Sequence, residues 1–273
     1  MNDDPAATMN GQDGIALRGA VVVTGAGSGI GRAAALAVAA RRAKVAALDI
    51  SVANARETAA EASARGAPDA VAIECDVRDE TSIAGAIASA ADRLGPVRGL
   101  VACAGIDRGG LAHELAAERW HEVLATNLTG TFLACKHVLI HMLAHGDGGS
   151  IVCASSPWAA VSAPGGASAY CASKGGVSAL VRSLALDYAA QSIRVNAIVP
   201  GATETPLMWA GLPAEEIPSA RTRIAGQLAL GRLADPDEIA EGIVWLLSDH
   251  ASYVTGSHLV VDGGLMARGS IES

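Results

Sequence analysis

The sequence predicts a doubly wound α/β fold, a largely parallel seven-stranded sheet with helices on both faces. Three observations predict it. Seven short apolar runs alternate with helical stretches along the whole chain. The runs are apolar at successive positions rather than at every second one, as in strands buried on both faces. The first run leads straight into a glycine-rich turn and a helix, the opening of a βαβ unit.

In chain order, residues 20–23 form the first run and lead into TGAGSGIG, Thr24 to Gly31. An Ala-rich helix covers about 32–42, and KVAALDI forms a second strand ending at Asp49. A helix near 53–65, a strand at 70–75 and a helix near 80–94 follow. Next come a strand at 99–102, long helical segments over 114–145 and a strand at 150–154. A helix at 168–190 and a strand at 193–199 precede a Pro-rich stretch. Asp235-Pro236-Asp237-Glu238 then has the pattern of a helix start, with Asp as N-cap, Pro at N1 and Glu at N3. That helix runs to about 248, and a last strand covers 258–261. No linker interrupts the alternation. Residues 15–273 are therefore expected to form one domain behind a loose, polar and acidic tail at 1–14. The segment from about 202 to 229 is too long and Pro-rich for a mere connector and is expected to be a substrate lid.

The 273 residues are 51% hydrophobic and 18% charged, a globular composition with enough chain for a large core. A net charge of −8 and a pI near 5.3 argue against nucleic acid as a partner. Arg, His or Gly cuts each apolar run before membrane-spanning length, and residues 1–14 lack the pattern of a signal peptide. Five widely spaced cysteines without a C-x-x-C pair read as reduced thiols in a cytoplasmic protein.

Glycines at 25, 29 and 31, between a strand and a helix, let backbone approach a pyrophosphate at the helix N-terminus. Asp49, 18 residues beyond Gly31, is placed to accept hydrogen bonds from ribose hydroxyls and to repel a 2′-phosphate, which favours NAD over NADP. Ser28, neither Arg nor Lys, points the same way. This is a Rossmann-type arrangement. A second pattern is Tyr170 and Lys174, four residues apart and on one face if helical. A cation within roughly 4–6 Å favours the phenolate, which brings a phenol toward working pH as a general acid/base. Taken alone, such a pair is more often a solvated face.

Together these motifs resemble the classical short-chain dehydrogenase/reductase family, and the resemblance runs from Thr24 to Gly264. Its markers stand in order: TGAGSGIG, Asp49, Asp76-Val77, Cys103-Ala104-Gly105, Asn127, Ser155-Ser156, YCASK at 170–174, Pro200-Gly201 and VDGG at 261–264. The resemblance implies that Tyr170 is the general acid/base and that Lys174 lowers its pKa and holds the nicotinamide ribose. It implies that Asn127 supports a proton relay through Lys174 and that a serine hydroxyl binds the substrate oxygen. Cofactor contacts are implied at Gly25, Ser28, Gly29, Ile30, Gly31, Asp49, Asp76, Val77, Ala104, Gly105, Asn127, Tyr170 and Lys174. Further contacts are implied at Pro200, Gly201, Thr203 and Thr205, the threonines facing the carboxamide.

Two departures from the family pattern stand out. Cys103 replaces the usual Asn before Ala104-Gly105, so a turn supported by backbone is expected there. The residue 13 before Tyr170, where the family has its serine, is Pro157; Ser156 is the choice, with Ser155 the alternative. Trp158 and Trp209 flank the site in sequence and are expected to bind substrate. His137, His141 and His145 form a helical stripe without a completing carboxylate or Cys, so a packed or subunit-interface stripe is expected and no metal.

The resemblance thus implies an NAD-dependent oxidoreductase working on a small secondary alcohol or its ketone, in the oxidising direction, and a homo-oligomer, tetramer or dimer. The alternatives are a 3-oxoacyl-(acyl carrier protein) reductase, which usually takes NADPH and has a basic residue near the glycine turn, and a catalytically silent dinucleotide-binding regulator.

Overall fold

The computed structural model describes residues 15–162 and 165–267. The acidic tail expected at 1–14 lies outside them. Seven strands form one parallel sheet: β1 (Ala20–Thr24), β2 (Lys44–Asp49), β3 (Ala70–Glu74), β4 (Val97–Ala102), β5 (Gly149–Ala154), β6 (Ile193–Pro200) and β7 (His258–Val261). Their spatial order is β3-β2-β1-β4-β5-β6-β7, and every neighbouring pair is parallel. The chain winds outward from β1 to β3, then crosses back to β4 and winds the other way. The carboxyl ends of β1 and β4 therefore border a crevice, the place where open α/β sheets bind ligands.

The apolar runs are continuous because each strand serves two cores. In β1, Val22 packs into one layer, whereas Val21 and Val23 face the other. Helices α1 (Gly29–Ala40), α2 (Val52–Ala64) and α8 (Pro236–Leu247) cover one face. On the opposite face lie α3 (Glu80–Leu94), α5 (Gly130–His145) and α6 (Ser168–Tyr188), with α4 (Ala117–Leu124) beside α6. A short α7 (Ile217–Ala225) lies in the segment after β6. The start of α8 is a capping box: the Asp235 carboxylate accepts from Asp237 N–H and the Glu238 carboxylate from Asp235 N–H, both at 2.9 Å.

Residues 117–145 run as one helix, with a π-helical segment at Ala125–Thr129 between α4 and α5. By length and composition it could cross a membrane, contrary to the sequence expectation that every apolar run is cut short. Half of its apolar window is packed inside the protein, the position of a core helix. On α5, His137 Nε2 lies 3.2 Å from Glu80 Oε1, which Lys136 also engages. Among the described residues no cluster of His, Cys, Asp and Glu could hold a metal ion. All five cysteines are free thiols; Cys135 and Cys153 lie 3.7 Å apart, buried.

The tightest approach is at the glycine turn. A Cβ on Gly31 would stand 2.1 Å from the Gly25 carbonyl oxygen, so only glycine lets α1 start against the turn. Gly31→Ala should destabilise the chain by roughly 1–3 kcal/mol through overpacking. Gly85→Ala, in α3 with nothing within 4 Å of the added methyl, should stabilise it by about 0.5–1 kcal/mol. Urea unfolding of the two variants checks this, and shifts of the same sign would contradict it.

Candidate active site

Two adjoining cavities of about 420 and 430 Å³ fill the crevice and share Ile30, Cys103, Gly105, Thr205 and Leu207. The first lies over the glycine turn, between the ends of β1, β2 and β4. It collects Gly25, Ser28, Gly29, Ile30, Gly31, Asp49, Asp76, Val77, Ala104, Gly105 and Thr205, all expected from the sequence to meet a cofactor.

Its construction suits a dinucleotide. Gly25 and Gly29 have φ of +67° and +52°, where a side chain would be strained. Ser28, the N-cap of α1, makes no side-chain capping bond, whereas α2, α3 and α8 are each capped by a side chain. The first N–H groups of α1 thus keep their capacity for an anion, at the positive end of the helix dipole. Asp49 closes the far side: its Oδ2 accepts Gly27 N–H at 2.8 Å and its Oδ1 accepts Ser51 N–H at 2.9 Å. Two arginines missed by the sequence reading also line this cavity, and each is paired with a carboxylate of the same wall. Arg78 binds Asp76 through two nitrogens, at 2.7 and 2.9 Å, and Arg108 lies 3.7 Å from Glu122. The pairing with Arg78 holds Asp76 below the usual carboxylate range. Ile50, 60% exposed, follows Asp49 in the same wall.

Asn127 lines neither cavity; it is fully buried beneath them. The π-helical turn aims its side chain at the strand end. Its Oδ1 accepts Ile106 N–H at 2.8 Å and its Nδ2 donates to the Ile106 carbonyl at 2.9 Å and to Ser173 Oγ at 3.1 Å. This clamp, with Ala104 N–H donating to Thr24 Oγ1 at 3.3 Å, supports the turn in which Cys103 replaces an amide. Widened turns of this kind recur at functional sites.

The second cavity holds Ser156, Trp158, Tyr170, Lys174, Pro200, Gly201, Thr203 and Thr205. Helix α6 places Lys174 Nζ 5.6 Å from the centre of the Tyr170 ring, as the four-residue spacing requires. The ammonium donates to the Ala154 carbonyl at 2.7 Å, and burial holds its pKa down to about 8. Burial pushes the Tyr170 phenol up to about 12, with a hydrogen bond to Ser156 acting the other way. The sequence expectation of a phenol lowered by the cation is therefore reversed in the chain alone: desolvation outweighs the Ser156 hydrogen bond, and the Lys174 ammonium donates to Ala154 instead. The two serines part company. Ser155 Oγ turns into α6, 2.7 Å from Ser178 Oγ, whereas Ser156 meets the phenol.

Trp158 lies in this cavity's wall, but Trp209 does not. Its indole N–H donates to Glu204 at 3.0 Å, and Arg221 stacks 5.5 Å from its ring while also binding Glu204. This local triad turns Trp209 away, and Leu207, Met208 and Leu228 supply the apolar wall. Asp107 also lines the cavity; nothing in its sequence context, a polar DRGG stretch, marked it.

With this geometry in view, the likeness to known proteins is informative. A family model described as enoyl-(acyl carrier protein) reductase matches residues 25–266. A cis-4-hydroxycyclohexanecarboxylate dehydrogenase of Sinomonas cyclohexanicum is 45% identical over 247 residues, 90% of this chain and 96% of the relative. A D-threitol dehydrogenase of Mycolicibacterium smegmatis is 40% identical over 89% of this chain and 91% of its own length. A short-chain type dehydrogenase/reductase from Mycobacterium marinum superposes with a TM-score of 0.85 at 30% identity, covering 92% of this chain and 96% of that one. The chain belongs to the short-chain dehydrogenase/reductase family, oxidoreductases that use a nicotinamide dinucleotide, and the relatives place it among those acting on alcohol-type CH–OH groups of small molecules.

Proposed function

We propose that the chain is an NAD-dependent dehydrogenase that oxidises a small secondary alcohol to its ketone, with Tyr170 as general acid/base. The observation that carries this reading is the convergence of Ser156, Tyr170 and Lys174 on one cavity that adjoins the crevice closed by Asp49. The α1 N-terminus and the glycine turn would hold the pyrophosphate, and Asp49 would accept hydrogen bonds from the adenosine ribose. Both crevice arginines are paired, so an added 2′-phosphate meets a carboxylate and no spare cation among the described residues. Asp76 and Val77 would hold the adenine, and Pro200, Gly201, Thr203 and Thr205 would hold the carboxamide.

A bound nicotinamide dinucleotide would supply the hydride acceptor for oxidation at the carbinol carbon. Ser156 holds the substrate oxygen beside Tyr170, whose phenolate form receives the alcohol proton. Lys174 holds the nicotinamide ribose. Gly105 lies between Asn127 and Lys174, its would-be Cβ 3.4 Å from Asn127 Oδ1 and 3.8 Å from Lys174 Nζ, and a proton relay through Lys174 would run past it. The segment 202–229 acts as a lid, with Trp209 in its frame. Phe132, Ile140 and Leu143, exposed on α5, support assembly into a homo-oligomer, and five free thiols suit the cytoplasm.

A 3-oxoacyl-(acyl carrier protein) reductase remains the second reading; the matching family model, described as an enoyl-(acyl carrier protein) reductase, is consistent with it without favouring it. NADPH dependence would favour it. Conversely, a silent regulator has no need of the full Ser–Tyr–Lys–Asn set.

Tyr170→Phe should lower turnover of secondary alcohols by at least about 10²-fold while fluorescence titration still detects NADH binding. Ser156→Ala should lower kcat comparably, whereas Ser155→Ala should chiefly cost about 1 kcal/mol of stability through its buried hydrogen bond. Near-normal turnover in Tyr170→Phe would remove the mechanism. A phenol pushed up to about 12 is mostly protonated at neutral pH, and its base form grows as pH rises. kcat/KM for alcohol oxidation should therefore climb from neutral to alkaline pH while that for ketone reduction stays nearly flat, the phenol remaining protonated throughout. Initial rates in both directions check the sign, and an oxidation rate that falls with pH contradicts it.

A further inference from the structure

The second cavity contains a charged group that the proton-transfer set does not use. Asp107 directly follows Ile106, whose N–H and carbonyl are both held by hydrogen bonds to the buried Asn127 side chain. Its carboxylate lines the cavity with Tyr170 and Lys174, near enough to the phenol to act on it electrostatically. A hydrogen bond from the Arg108 backbone N–H engages the carboxylate, yet Oδ1 is buried without a partner. Among the described residues, only one other buried side-chain N or O atom, His258 Nε2, shares that condition. Burial raises the carboxyl above its ordinary range, the direction expected of an under-satisfied carboxylate.

An unpaired buried acceptor is costly, and because the half-buried Asp107 lines the cavity, a small rotation that turns Oδ1 toward it would let a ligand hydroxyl satisfy that oxygen. The charges around it narrow the choice. Lys174, the one cationic side chain in the described wall of this cavity, donates to the Ala154 carbonyl. No cation is thus available there for a substrate carboxylate, sulfonate or phosphate, and Asp107 repels one. The remaining wall is largely apolar: Trp158, Leu207, Met208 and Leu228 among others.

We infer that Asp107 is a specificity-determining residue that accepts a hydrogen bond from a second hydroxyl of the substrate, so that the site selects neutral diols or polyols over mono-alcohols and over hydroxy acids. This rests on the dehydrogenase reading above and names the substrate class for the same site. The selection follows a general asymmetry: a site built around a polar group strongly rejects the analogue that lacks its partner, because the buried group is then left unpaired.

The test is a kcat/KM comparison of matched alcohols with NAD. The probes are cyclohexanol, cyclohexane-1,2-diol and cyclohexane-1,3-diol, with butan-2-ol, butane-2,3-diol and 3-hydroxybutyrate as an acyclic set. In the wild type, a diol should exceed its mono-alcohol by about tenfold or more, chiefly through KM, and 3-hydroxybutyrate should be the poorest of its set. Asp107→Ala should reduce the diol to mono-alcohol ratio about tenfold. The isosteric Asp107→Asn, which keeps an acceptor without the charge, should raise 3-hydroxybutyrate relative to butan-2-ol. NADH titration of each variant separates lost recognition from lost folding. A wild type without diol preference, or a diol ratio unmoved in Asp107→Ala, would overturn the assignment while leaving the dehydrogenase intact. No NADH formation from any of these alcohols would take down both.

Discussion

The glycine turn after β1 can lie against the start of α1 only because no side chain stands between them. With 2.1 Å between a would-be Gly31 Cβ and the Gly25 carbonyl oxygen, the contact admits no other residue without movement of backbone. That contact brings the first N–H groups of α1 to the crevice. Because Ser28 does not cap them, they keep their hydrogen-bonding capacity for a ligand. Asp49 then ties the end of β2 to the same turn through Gly27 N–H. Sheet order, helix start and carboxylate position are one construction. The crevice at the β1/β4 reversal is its product.

A second constraint acts through burial. Tyr170, Lys174 and Asn127 place polar chemistry in a largely apolar surround, and each responds differently. Asn127 is fully satisfied by Ile106 and Ser173, so it stiffens the strand end that shapes both cavities. Lys174 is desolvated and held down to about 8, while Tyr170 is pushed up to about 12. The two shifts bring the ordinary lysine and tyrosine values past one another. At neutral pH the chain alone therefore keeps a protonated phenol beside a weakened ammonium. Such an environment makes proton movement sensitive to whatever displaces Lys174 from the Ala154 carbonyl.

Much of the fold was legible because its signals are local. Doubly buried strands write continuous apolar runs, and the capping box at Asp235–Glu238 states a helix start in four residues. The boundaries of α3 at 80–94 and β7 at 258–261 fell where the sequence placed them. The positions of the glycine-turn residues and of Tyr170 and Lys174 were equally legible, since each depends on short spacing. What escaped depends on contacts across the chain. The π-helical turn at 125–129 is a change of hydrogen-bond register that composition does not record. Trp209 was expected in the substrate wall, but Glu204 and Arg221 turn it aside. The direction of the Tyr170 shift is set by burial, which the spacing to Lys174 cannot express. Asp107 looked like part of an ordinary polar loop until the fold set it beside Tyr170.

Isotope transfer is the most direct test of the whole account. A secondary alcohol carrying deuterium on its carbinol carbon, incubated with the protein and NAD, should place that deuterium on the nicotinamide ring and show a primary isotope effect on kcat/KM. Deuterium that stays on the substrate or washes into solvent, or transfer that occurs with NADP and not with NAD, would contradict it.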